Sequence, residues 1–207
     1  MTIANDKINM KKIFITGTDT NIGKTYVAKK LLRDFAQSGF STIGIKLIAS
    51  GGREDAIILR DASTLKIAYE QHNPILFEQA IAPHIAAQLA NVDLSLAALN
   101  KINLDFNVDI HVIEGAGGWL LPLNQNETLA DFVVQNKFEI ILVVGMRLGC
   151  LNHALLTIQS IEQMGGKLIG WIANCIDPDM EYLEENIAWL KQHLKVPLLF
   201  TEAFKAC

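Results

Sequence analysis

The segment spanning residues 11–25, KKIFITGTDTNIGKT, constrains this chain more than any other. Ile13, Phe14 and Ile15 make a short apolar, β-branched run of the kind that forms a buried strand. The run breaks at Gly17 into a polar turn and closes with Gly23, Lys24 and Thr25. A helical pattern, VAKKLL, follows at once. Strand, glycine-bearing loop and helix in that order build a phosphate-binding loop. A helix start carries unpaired N–H groups and the positive end of the dipole, which attract phosphate. Gly23 lets backbone approach oxygen, Lys24 adds a cation for the terminal phosphates, and the Thr25 hydroxyl can ligate Mg²⁺. Five residues lie between Gly17 and Gly23, where the usual pattern has about four. The loop is therefore a variant in which Thr18, Asp19, Thr20 and Asn21 can offer side chains as well as backbone.

A length of 207 residues suits one α/β domain with a sizeable core. Hydrophobic residues make up 50% and charged residues 19%, the balance of a globular chain. A net charge of −4 argues against a non-specific nucleic-acid binder. A local loop can still bind a small anion against that charge. No apolar run approaches the ~18 residues that span a bilayer. The opening MTIANDKINM lacks the apolar core of a signal peptide. Cys150, Cys175 and Cys207 are odd in number and far apart, which disfavours a zinc site or a disulfide framework. The expectation is a cytoplasmic protein with reduced thiols and no membrane partner.

Residues 1–10 read as a flexible leader and 11–207 as a single domain. A helix is predicted over 26–38, with Gly39 placed to end it. A second strand follows over 42–48, with Lys46 near its carboxyl end, where open α/β sheets bind ligands. A helix over 53–68 includes Asp55. Residues 69–83 read as irregular, and 84–89 and 94–102 as further helical pieces. The third strand, 109–114, ends in Glu114 and runs into Gly115-Ala116-Gly117-Gly118-Trp119. An acid at the tip of an apolar strand downstream of a phosphate loop suits Mg²⁺. A helix is expected over 128–135, and the most apolar strand, 139–145, should be central. Residues 146–153 lead into a helix ending at Gly165-Gly166. A strand follows at 167–174, then a helix capped by Asp177-Pro178-Asp179 and reaching residue 193, then a strand at 196–200. Alternation of strands and helices predicts an α/β fold with a mostly parallel central sheet and helices on both faces.

Taken together, ITGTDTNIGKT, IKLIASG, VIEGAGGWLLPL, LVVGMRLGCLNHALLT and GWIAN resemble the dethiobiotin synthetases, in that family's order and over roughly residues 11–175. The resemblance implies a P-loop NTPase-like fold and ATP- and Mg²⁺-dependent closure of a cyclic urea from 7,8-diaminononanoate and CO₂, supplied as bicarbonate. It also implies a homodimer. By resemblance Lys24 and Thr25 contact phosphate and Mg²⁺, and Thr20 lies near the reacting groups. The ATP loop spans Asn21, Ile22, Gly23, Lys24, Thr25 and Tyr26. Lys46 stabilises carbamate and γ-phosphate, and Ser50 lies near the carbamate. Asp55 and Glu114 complete the Mg²⁺ site, Gly115, Gly117 and Gly118 border the nucleotide, and Asn174 reads adenine. Gly149, Cys150, Leu151 and Asn152 form a helix start that receives the substrate carboxylate from the neighbouring subunit.

His84 and His153 read as helix-start residues ahead of acid–base groups, and Trp119 and Trp171 as core or interface. Two departures from the family pattern stand out. Asn21 replaces a frequent glutamate. The end FTEAFKAC replaces a Gly-x-x-Pro type loop, from which a weaker preference for adenine is expected. An amidoligase of the cobyrinic acid type would carry a glutamine-amidotransferase domain. A partitioning ATPase would carry a lysine early in the loop, and residues 17–22 contain none.

Overall fold

The first strand, β1 (Lys11–Gly17), ends at the turn that begins the variant loop, and α1 (Lys24–Gln37) starts on its Gly-Lys-Thr. The computed structural model describes residues 11–203; the expected leader over 1–10 and the last residues of the C-terminal tail lie outside them. In chain order there follow β2 (Thr42–Lys46), β3 (Ile48–Ser50), α2 (Glu54–Ala62), α3 (Tyr69–His72) and β4 (Ile75–Phe77). Next come α4 (Pro83–Ala90), α5 (Leu96–Leu99), β5 (Ile110–Glu114), α6 (Leu129–Gln135) and β6 (Glu139–Met146). The chain closes with α7 (Cys150–Gln163), β7 (Lys167–Cys175), α8 (Leu183–His193) and β8 (Leu198–Glu202).

Six strands form one sheet in the order β2-β5-β1-β6-β7-β8, and every pairing is parallel. Successive side chains of a strand point to opposite faces, and β1 shows this directly. Ile13 and Ile15 pack with Val27, Leu31 and Leu32 of α1, whereas Phe14 joins Ile45, Ile113, Phe132 and Ala86 on the other face. A further cluster sets Leu142, Val144 and Trp171 against Ala154 and Ile158 of α7 and Leu190 of α8. The expected doubly covered parallel sheet is therefore present, with β6 inside it. Its strand order reverses at β1, so the crevice expected for ligands lies at the carboxyl ends of β1, β5 and β6.

Local boundaries differ from the sequence reading where hydrogen bonds intervene. The strand expected over 42–48 divides: Leu47 donates to Glu114 O at 3.1 Å, and the chain then leaves the main sheet. β3 pairs in parallel with β4, Ile48 opposite Ile75 and Ser50 opposite Phe77, in a separate two-stranded sheet. The span read as irregular thus contains α3 and β4. α2 stops at Ala62 instead of residue 68, because the Ser63 hydroxyl donates to Leu59 O at 2.7 Å and accepts the Gly44 amide at 2.8 Å. That hydroxyl closes the helix and satisfies an N–H of the edge strand β2. Helix is confined to α5 within 94–102, where the Ser95 hydroxyl accepts the Ala98 amide. α8 begins at Leu183, after the predicted Asp-Pro-Asp cap, and the last strand runs from Leu198 to Glu202.

Candidate active site

α1 and α7 each begin on a glycine in the left-handed region, Gly23 (φ 83°) and Gly149 (φ 92°), with no side-chain cap. By contrast, α6 begins with a capping box in which Thr128 and Asp131 satisfy each other's backbone. Uncapped first turns leave N–H groups for an anion. At Gly23 a side chain is excluded twice, by the positive φ and because a Cβ there would lie 2.2 Å from Asn174 Nδ2.

A cleft of about 880 Å³ opens over the α1 start. Its floor is made by Lys24, Thr25, Lys46 and Glu114, and its rim by Thr20, Asn21 and Gly117. The opposite wall comes from Ser50, Gly51, Gly52 and Asp55, with Ala80, Ile81 and Pro83 beyond them.

Strand register brings the charges together. Lys46 of β2 lies opposite Glu114 of β5, on the same side of the sheet. Lys46 Nζ is 2.6 Å from Glu114 Oε1 and 2.7 Å from Asp55 Oδ2, and the Thr25 hydroxyl donates to Glu114 Oε1 at 2.8 Å. Lys24 Nζ donates to the Asp19 carbonyl at 2.7 Å, which holds its ammonium over the loop. Glu114 is 1% exposed, and its Oε2 has no hydrogen-bond partner. The Ser50 hydroxyl oxygen is likewise buried and unpartnered. Two orphaned buried oxygens facing one cleft are what a ligand would satisfy.

Burial disfavours the charge of Lys46, but the carboxylates of Glu114 and Asp55 outweigh it and hold its pKa above the ordinary lysine value. Asp55 is lowered, because the Lys46 charge and hydrogen bond overcome the effect of burial. Burial pushes the Glu114 carboxyl up, with Lys46 opposing. Burial brings Lys24 down to about 8, and the neighbouring Lys46 adds to the fall. The site thus holds two cations and two carboxylates in one partly dry cleft.

Among the described residues no group of three or more His, Cys, Asp or Glu side chains stands together as a metal centre. Thr25, Asp55 and Glu114 supply one hydroxyl and two carboxylates. That oxygen set fits Mg²⁺, which takes few protein ligands and completes its shell with phosphate oxygens and water. The orphaned Glu114 Oε2 fits the same role.

Several residues expected at the site also make structural contacts. Ile22 is fully buried and packs on the backbone at Gly17 and Gly145. Tyr26 bonds Glu202 through its hydroxyl at 2.8 Å. Gly115 is a glycine because a Cβ would meet the Phe14 ring at 2.7 Å, and Gly118 passes beside the Gly17 carbonyl. Asn174 donates Nδ2 to Ile22 O at 2.7 Å. Gly149, Cys150, Leu151 and Asn152 do not line the cleft; the α7 start carries them beyond it. His84 borders a separate groove with Gln88 and Asn124, and His153 is exposed on α7. Trp119 and Trp171 are core residues.

The sequence reading gave Asp19 only as one of the loop side chains on offer, and missed Arg147 and the wall over 80–83. Asp19 accepts the Thr20 amide at 2.7 Å through Oδ1, and its Oδ2 pairs with Arg147 Nη2. Asp19 was legible as an acid inside the loop. Arg147 was not, because nothing local ties it to residue 19.

The AAA domain family matches residues 11–201. The ATP-dependent dethiobiotin synthetase BioD of Cellvibrio japonicus (strain Ueda107) is 47% identical over 203 residues, covering 93% of this chain and 89% of that protein. The chain belongs to the ATP-dependent dethiobiotin synthetase family. Members bearing that name from Pseudomonas aeruginosa (strain LESB58) and Vibrio vulnificus (strain YJ016) are 44% and 40% identical, each over 92% of this chain and 88% of its own length. Among solved structures, the MinC:MinD cell division protein complex of Aquifex aeolicus gives a TM-score of 0.54 at 14% identity, over 94% of this chain and 82% of that one. The signal recognition particle receptor FtsY of Elizabethkingia anophelis in complex with GDP gives 0.53 at 12%, over 100% and 61%. At these identities the two structures speak for the α/β fold alone. Among the described residues, no helix is long and apolar enough to cross a membrane.

Proposed function

We propose that this chain is an ATP-dependent ligase that closes the ureido ring of dethiobiotin from 7,8-diaminononanoate and CO₂, a step of biotin biosynthesis. The observation that carries the proposal is the in-register pair Lys46–Glu114 beside the phosphate loop, in a chain 47% identical to a named dethiobiotin synthetase. One substrate amine adds to CO₂ and loses a proton, giving a carbamate. A carbamate oxygen attacks the ATP γ-phosphorus and ADP leaves, giving a carbamic–phosphoric anhydride. The second amine attacks the carbamoyl carbon and loses a proton, phosphate departs with the C–O bond electrons, and the ring is closed.

Lys24 and the α1 start hold the terminal phosphates. Lys46 exchanges its carboxylate partners for carbamate and γ-phosphate oxygens, which lowers the charge repulsion between them. Thr20 and the Ser50 hydroxyl orient the carbamate. Thr25, Asp55 and Glu114 would hold Mg²⁺, which supplies charge neutralisation at the phosphates. Asn174 reads the base, and Asn21, Gly117 and Gly118 border the nucleotide.

The α7 start receives the substrate carboxylate of a neighbouring subunit. Supporting this, Leu148 is 95% exposed just before α7, and Leu155 and Leu156 of α7 are exposed too, apolar surface suited to a homodimer contact. Two free, buried cysteines, Cys150 and Cys175, support a reducing cytoplasmic setting.

The test is phosphate release from Mg²⁺·ATP with and without 7,8-diaminononanoate and bicarbonate, with mass detection of product. Release that requires the diamine and yields dethiobiotin is expected. Release indifferent to the diamine would overturn the ligase reading in favour of a switch ATPase.

A further inference from the structure

The phosphate loop is held in place by a residue 152 positions downstream of Ile22 that the sequence reading assigned to the base. Asn174 stands at the carboxyl end of β7, opposite Gly145 of β6 and Glu202 of β8. It is 7% exposed, and its side chain reaches back across the sheet to the Ile22 carbonyl at 2.7 Å. A carbonyl oxygen only accepts, so the amide must face it with its NH₂ group. The same nitrogen fills the space a Gly23 side chain would need. Ile22 is meanwhile pinned through its side chain, fully buried against the backbone of Gly17 and Gly145. The Ile22–Gly23 peptide is therefore fixed from both sides. Its plane sets the left-handed bend from which the amides of Lys24 and Thr25 enter α1.

We infer that Asn174 is a positioning residue for the phosphate loop, acting on any triphosphate whatever its base. The inference rests on residues 17–25 being a phosphate loop. It is compatible with base reading, because the bond to Ile22 uses Nδ2 and leaves the amide oxygen to face a base amino group.

The experiment is calorimetric titration of the whole chain with inorganic triphosphate and Mg²⁺, alongside steady-state kinetics with ATP and GTP. Asn174→Ala removes the donor; Asn174→Asp keeps the shape and removes the donor at neutral pH. Circular dichroism checks that both variants are folded. The triphosphate Kd should rise about tenfold or more in each, the scale of one lost buried hydrogen bond. The KM values for ATP and GTP should both rise, ATP by the larger factor in Asn174→Ala, where the amide oxygen that faces the base is lost as well, with kcat at saturation within about threefold of wild type. A triphosphate Kd within twofold of wild type in either folded variant would overturn the inference and leave Asn174 as a base reader only. A fall in kcat alongside KM would also overturn it, since general loosening of the site predicts that. Wild-type protein that binds neither triphosphate nor ATP would instead refute the phosphate-loop reading itself, and the inference with it.

Discussion

Replacing Lys46 by methionine keeps the buried stem and removes the ammonium. Glu114 would then sit 1% exposed without its direct ion pair, keeping the Thr25 hydroxyl bond and the more distant Lys24 charge, while Asp55 turns to solvent at 46% side-chain exposure. Removing one partner of a buried pair costs about 3–5 kcal/mol, because the other charge is left uncompensated. The partial exposure of Asp55 and the retained Thr25 bond place this case near the lower end, about 3 kcal/mol. For a domain of this size that corresponds to a fall of roughly 6–12 °C in Tm. The assay is urea unfolding of the ligand-free protein, followed by circular dichroism, for Lys46→Met, Glu114→Gln and the double variant. The double variant should recover most of the loss, since no buried charge then lacks a partner. Two results would refute the reasoning: a single variant within about 1 kcal/mol of wild type, or a double variant as unstable as the two singles added together. In turnover, Lys46→Met should abolish dethiobiotin formation and leave ATP binding largely intact, because Lys24 and the α1 start still hold the phosphates while the carbamate loses its cation.

Gly23→Ala strains a left-handed position by about 1–2 kcal/mol and displaces Asn174, so ATP affinity should fall at least tenfold by calorimetry. Arg147→Ala should change stability by less than about 1 kcal/mol in urea unfolding, since both partners of the Arg147–Asp19 pair are well exposed. Asn152→Ala should raise the KM for diaminononanoate and spare that for ATP; an unchanged diamine KM would refute the carboxylate assignment. Stability should also fall on mild acidification. Burial lowers the pKa of both His72 and His111. His72 donates Nδ1 to Gly44 O with a buried, unpartnered Nε2, and His111 Nε2 accepts the Phe106 amide, so neither ring can gain a proton without loss. The unfolded chain binds those protons first. Stability is therefore complete above about pH 6.5 and drops below it by up to about 1.4 kcal/mol per pH unit for each histidine. Urea midpoints between pH 8 and 5 check this, and His72→Gln/His111→Gln should flatten the slope.

The fold and the nucleotide end of the site were legible because each signal there is local. Strand, loop and Gly-Lys-Thr are contiguous, and the alternation of elements implies the parallel sheet. Lys46 and Glu114 could each be suspected from their places at strand ends. Their direct pairing could not, because it depends on β2 lying next to β5 in a register that no local pattern encodes. The departure of the chain from the main sheet at Leu47 was hidden for a similar reason. Ile48 is as apolar as the residues before it, and only its partner, Ile75, distinguishes the two sheets. Asn174 was readable as a site residue by resemblance, but its grip on Ile22 spans the sheet and leaves no trace in spacing.

The division of the second strand has a consequence for how such a cleft can change over time. The reactive floor belongs to the main sheet, with Ser50 and Asp55 tied to its chemistry, whereas the far part of the facing wall, Ala80 to Pro83, follows a small sheet of its own. Substitutions over residues 80–83 can alter the length and shape of the molecule admitted without disturbing a single ladder bond beneath the phosphates. The architecture separates selectivity from chemistry, so that a lineage, or an engineer, can redraw one while inheriting the other intact.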